Sequence, residues 1–216
     1  MKIFLAAAHG GNDPGAVANN TTEAEEAKKI VEKCAGYLKK YLRPGEILMI
    51  VPHNLALEAE VEYINRQSNR NPGDICIEVN MNSNQGTPGT GIETYYGQSS
   101  LADILQKPLV KITKLADRGV KDGSRFYFNN MTSPGSALVE LGFINNTNDL
   151  AIVREKGAYA LAKGIADYLG LIMPDEPPNE NPPSVSPVPP TTNLKTVVIR
   201  GKIERVQILG ENLLIN

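Results

Sequence analysis

Histidine and cysteine are scarce in this sequence, with two of each among 216 residues. The scarcity leaves His9 and His53 as the imidazoles on which metal or acid–base chemistry could be built. The cysteines, Cys34 in a predicted helix and Cys76 in a predicted strand, read as small core residues rather than a disulfide, and so leave the compartment open. Positive charge is not in excess: 22 Lys and Arg against 24 Asp and Glu give a net charge of -2. That excludes the basic footprint of a nucleic-acid binder, and no run of like charges points to an anionic membrane surface. No apolar run approaches the roughly 20 residues needed to span a bilayer. Lys2 is followed at once by an apolar strand, so a cleavable signal peptide with its own apolar stretch is not expected.

What is present suffices for one core. A chain of 216 residues with 41% hydrophobic content predicts a single domain and a tail. Residues 3–8 read as a buried strand, and 23–42 as an amphipathic helix whose stripe includes Ala27, Ile30, Val31, Cys34 and Leu38. A second strand is predicted at 46–51, and a second helix at 55–67 with Leu57, Val61 and Ile64 on one face. A third strand, 74–81, alternates so that Cys76, Glu78 and Asn80 share a face. Further strands are expected at 92–96, 125–128 and 137–141, and helices at 99–115, where Pro108 threatens a kink, and at 148–169. This order predicts an α/β fold: a single twisted, mostly parallel sheet flanked by helices, with functional groups at the carboxyl ends of strands. The domain is expected over 1–173. A linker over 174–193 holds 8 of the 15 prolines, and 194–216 is a short β-rich segment with a hairpin expected near Gly201.

The stretch 9–23, HGGNDPGAVANNTTE, is the densest in chemical meaning. His9 falls where the first strand opens into a glycine-rich loop, and Glu23 falls at a helix start after Thr21 and Thr22. Imidazole and carboxylate are both ligands that zinc takes in hydrolytic sites. Asp13 reads as a turn-fixing carboxylate and Glu78 as a wall of the cleft.

The pattern HGGxDPGAxxxxxxE resembles the first metal-binding segment of the zinc-dependent N-acetylmuramoyl-L-alanine amidases, peptidoglycan hydrolases in which this His and Glu bind the metal. LVELGFINN at 138–146 is similar to the family's second signature, and the resemblance extends over about residues 1–171. It implies that His9 and Glu23 bind zinc and that Glu140 is the catalytic carboxylate. The family's third ligand is a histidine on the third strand, and the aligned position here holds Asn80. An amide oxygen is a weaker donor to zinc than an imidazole nitrogen, which leaves three outcomes open. Asn80 ligates through its oxygen, His53 stands in, or the site holds no metal.

Two functions follow from the resemblance. One is hydrolysis of the amide between N-acetylmuramic acid and L-alanine. The other is a catalytically impaired amidase fold that binds the wall or builds a phage tail or contractile injection assembly. In either case peptidoglycan is the expected partner. Residues 194–216, apolar yet too few to fold alone, are expected to dock on another protein's sheet edge. Without a signal peptide, the expected setting is synthesis in the cytoplasm and action on the wall after lysis, or within a virion or injection machine.

Overall fold

The structure, a computed structural model, describes residues 1–177, 206–209 and 212–215. The chain opens on β1 (Lys2–Ala7), buried from Ile3 onward because it lies inside the sheet. A two-rung hairpin follows, β2 (Val17–Ala18) against β3 (Thr21–Thr22). Asn19 and Asn20 turn it with positive φ values of 50° and 57°, the conformation a primed hairpin turn demands of its two central residues. Thr22 then caps α1 (Glu23–Leu38) by accepting from the Glu25 backbone N–H. After β4 (Ile47–Ile50) come α2 (Leu57–Gln67), β5 (Ile75–Asn82), β6 (Ile92–Tyr96) and α3 (Ser99–Thr113), which runs through Pro108. β7 (Asp117–Asp122), the short α4 (Tyr127–Met131) and β8 (Gly135–Phe143) lead to α5 (Thr147–Ile152). A π-helical turn, Val153–Gly157, joins α5 to α6 (Ala158–Tyr168).

Six strands form one sheet in the order β4-β1-β5-β8-β6-β7. Every pairing is parallel except β6 with β8. The expected mostly parallel α/β sheet is therefore what forms. One face carries Ile3, Leu5, Ile77, Val79 and Val139 against α1, α3 and α6, including Ile30, Leu105 and Leu161. The other carries Phe4, Ala6 and Cys76 against Val61 and Ile64 of α2 and Phe128 of α4. Each such buried aliphatic contributes about 1.5–3 kcal/mol, so the pair of cores fixes the strand ends that the site needs.

Two expectations are corrected. Residues 125–128 are not a strand: the edge strand is β7, and 127–131 is helical. β7 pairs on one side only and carries a single aliphatic, Val120, so it lacks the apolar signature of a buried strand. The closing helix is interrupted by the π turn at Val153–Gly157. In the tail, β9 (Val206–Leu209) pairs antiparallel with β10 (Asn212–Ile215), and the turn expected near Gly201 lies outside the described residues. Most of the expected linker lies outside the described residues. Its first part is fastened to the domain, since the Tyr159 hydroxyl meets the carbonyls of Pro174 and Glu176 at 2.9 and 2.7 Å.

Outside the site, the buried charge of Glu26 is compensated. Glu26 on α1 is 1% exposed and takes two 2.9 Å bonds from the Arg154 guanidinium on the π turn. The Thr21 hydroxyl at 2.7 Å and Lys29 at 3.0 Å complete it. Arg154 first, against the cost of burial, holds the Glu26 carboxyl down at about 2.

Candidate active site

A cavity of about 740 Å³ opens at the carboxyl ends of β1, β5 and β8, on the α2 and α4 side of the sheet. The alternation of β5 points Glu78 and Asn80 to this face, and the β5–β8 register sets Asn80 beside Glu140. His9 follows β1 directly and adopts a left-handed backbone with φ of 63°, a conformation uncommon outside glycine that recurs at functional sites. Its ring is held from both sides. Nδ1 lies 2.8 Å from Asp13 Oδ2, and Nε2 lies 3.2 Å from Glu23 Oε2. The Glu23 hydrogen bond first, then Asp13, raise His9 to about 9 against the cost of burial.

Glu23 is itself positioned by the backbone. Its Oε2 accepts from Ala16 N–H at 3.1 Å and its Oε1 from Met81 N–H at 3.0 Å, so the carboxylate is tied to both the loop and the end of β5. Gly15 makes room for the pair. A side chain there would meet the His9 ring at 2.6 Å and Glu23 Oε2 at 2.8 Å, and its φ is +63°. Gly10 serves the same end, because a Cβ would stand 1.9 Å from the His53 carbonyl oxygen.

Glu140 lines the cavity with its Oε2 buried and without a hydrogen-bond partner. Burial first, then the Glu23 charge, push its carboxyl up to about 8. Glu78 is buried and accepts from the Asn80 side-chain amide at 3.0 Å. Glu60, from α2, is buried beside it with Oε1 unpartnered, and burial pushes both carboxyls upward. Glu60 escaped the sequence reading, yet it carried a signal. It sits three residues after Leu57 and four before Ile64, an acid inside the apolar stripe of an amphipathic helix.

The structure thus brings His9, Glu23, Asn80 and Glu140 to one strand-end rim. His53 does not join them. It is not among the residues lining the cavity, and its Nδ1 is buried without a partner next to Gly10.

The donor set suits zinc in part. His9 Nε2 and Glu23 Oε2 stand 3.2 Å apart, close to the separation of about 3.3 Å that two donors at 2.0–2.1 Å take on a tetrahedral ion. Among the described residues no three of His, Cys, Asp and Glu converge as a metal-holding group. A third protein donor would have to be the Asn80 amide oxygen, whose NH₂ is already turned to Glu78. No helix among the described residues is long and apolar enough to cross a membrane.

With this geometry, comparison with known proteins becomes decisive. The profile of the family described as N-acetylmuramoyl-L-alanine amidase (Amidase_3) matches residues 3–170. The chain belongs to that amidase family. YqiI of Bacillus subtilis is 32% identical over 178 residues, covering 77% of this chain and 84% of that protein. The Bacillus subtilis N-acetylmuramoyl-L-alanine amidase LytC is 28% identical over 178 residues, and the match covers 77% of this chain but only 35% of LytC. The fold is that of the crystal structure of N-acetylmuramoyl-L-alanine amidase from Clostridium difficile 630. The match has a TM-score of 0.70 at 24% identity, and it covers 78% of this chain and 96% of the other.

Proposed function

We propose that this amidase-family chain hydrolyses the amide between N-acetylmuramic acid and L-alanine in peptidoglycan. In this reading a zinc ion is held by His9, Glu23 and the amide oxygen of Asn80. The observation that carries the reading is Glu140, a partly buried residue whose Oε2 is buried without a partner in the same cavity as the converging His9–Glu23 pair. A bound zinc ion would supply polarisation of the scissile carbonyl and a water acidic enough to react near neutral pH.

The chain's own residues do the rest. Asp13 fixes His9 through Nδ1, so that Nε2 is the nitrogen presented to Glu23 and to a cation. The two backbone donors on Glu23 hold its carboxylate without occupying it with a competing cation. Glu140, with one oxygen free, accepts a proton at Oε2 from the attacking water and returns it to the departing L-alanine amine. Digestion of purified cell wall tests the reading. Release of free L-alanine termini supports it, and no release by folded protein supplied with zinc overturns it.

Asn80 favours a second reading, in which the cleft binds wall polymer without turnover. Stoichiometric zinc in the purified protein would count against a purely binding or structural role.

Residues 194–216 are assigned a docking role in both readings. A hairpin of two four-residue strands is too small to hold itself together in water, and it suits addition to a partner's sheet edge. Such a layout fits a wall hydrolase released at lysis or carried on a virion or injection machine.

A further inference from the structure

The cavity holds more carboxylate than the proposed reaction uses. Glu140 has its role and Asp13 is engaged by His9, but Glu60 from α2 and Glu78 from β5 take no part. They are 4% and 5% exposed. Glu60 Oε1 has no partner, and the hydrogen bond recorded at the Glu78 carboxylate comes from the neutral Asn80 amide. No lysine or arginine lines the cavity. A buried acid without a cation is costly, and a second acid beside it raises the cost. Two buried glutamates elsewhere are met by cations, Glu26 by Arg154 and Lys29 and Glu93 by Arg118 and Lys121, and the fully buried Asp149 is met by three neutral donors instead. The uncompensated pair lies where a ligand can enter.

We propose that Glu60 and Glu78 form a subsite for a protonated aliphatic amine of the substrate, the free side-chain amino group of a diamino acid in an uncross-linked stem peptide. The inference rests on the peptidoglycan reading above. An ammonium group satisfies two carboxylates with its own donors and needs no further ligand. A metal ion would need a third converging donor, and among the described residues no further His, Cys, Asp or Glu completes such a group, while Asn80 turns its NH₂ rather than its oxygen to Glu78. The surroundings match an amine on a methylene chain. Leu57, Phe128 and Leu138 line the same cavity and offer apolar surface to the stem while the carboxylates take its charged end.

Calorimetric binding to the Glu140→Gln protein tests this without consuming the ligand. The probes are a muramyl tripeptide ending in lysine and its side-chain N-acetylated counterpart. The lysine form is expected to bind about tenfold or more tightly than the acetylated form, the scale of one charge-assisted contact. Adding Glu60→Gln, or separately Glu78→Gln, is expected to remove that preference and leave the acetylated probe's affinity unchanged. Equal affinity for the two probes overturns the amine subsite and leaves the hydrolase reading standing. Failure to bind either probe overturns the hydrolase reading, and the subsite with it. Loss of zinc affinity in Glu60→Gln would make Glu60 a metal ligand and also overturn the proposal.

Discussion

Glu93 and Glu140 face each other across the one antiparallel ladder of the main sheet, and their surroundings could hardly differ more. Toward the outer strands, Glu93 is 3% exposed and fully met. Asn82 reaches it at 3.1 Å, the Tyr95 hydroxyl at 2.9 Å and the Arg118 guanidinium at 2.8 Å, with Lys121 also in contact. Burial pushes its carboxyl up, but Lys121 and Arg118 outweigh it and the net shift is downward. One strand inward, Glu140 has no lysine or arginine beside it in the cavity, and its pKa rises. The same residue type on the same sheet face is a structural anion in one place and a poised proton carrier in the other. Neighbouring side chains make the difference. Active sites keep such uncompensated groups because a group already satisfied has nothing left to offer a substrate.

The comparison can be broken most decisively at its reactive end. Glu140→Gln is expected to lower the rate of wall digestion by about 10²–10⁴-fold, the usual contribution of a positioned acid–base group. Zinc content of the protein should be unchanged, so a loss of metal would show that Glu140 is a ligand instead. At the compensated end, the double substitution Arg118→Ala with Lys121→Ala leaves Glu93 buried and unpaired. Chemical denaturation should show a loss of about 1–3 kcal/mol, less than for a fully buried pair because both cations are more than a third exposed.

Stability against pH sharpens the contrast further. Glu140 has a folded pKa raised from 4.5 to about 8, so its contribution is fully present below pH 4.5 and is lost as pH rises through 8. In metal-free protein Glu140→Gln should therefore gain about 1–3 kcal/mol over the parent at pH 8 and above, and nothing below pH 4. Glu26 has the opposite sign. Its folded pKa of about 2 means that its contribution is present above pH 4.5 and is lost as pH falls toward 2, so Glu26→Gln should destabilise chiefly at neutral pH. Asn80→His tests the metal directly: zinc should bind about tenfold or more tightly by competition with a chelator, because imidazole nitrogen is the better donor. The smallest effect is expected from deleting 194–216. The melting temperature of the first domain should not move, and assembly with a partner should be lost.

Much of this site was legible because its chemistry sits in one contiguous stretch. The spacing of His9, Asp13, Gly15 and Glu23 in a strand–loop–helix order is a local pattern, and hydrophobic periodicity located the strands that receive it. The sheet's interior strands were readable for the same reason, since burial on both faces writes continuous apolar runs such as Ile3 to Ala8. The edge strand β7 was not. A strand paired on one side and half exposed needs no apolar signature, and its polar residues resemble a loop. The π turn was hidden as well, because a single widened turn leaves the helical stripe of residues 147–168 nearly intact.

The sequence by itself determined the α/β layout, through hydrophobic periodicity, and the family, through two motifs that resemble its signatures. Only the tertiary structure decided which carboxylates are compensated. Glu26 meets Arg154 across 128 residues and Glu93 meets Arg118 across 25, while Glu60 from α2 comes to rest beside Glu78 from β5 in a cavity without lysine or arginine. Charge compensation is a matter of distance in space and exclusion of water, and neither is written in the order of residues along the chain.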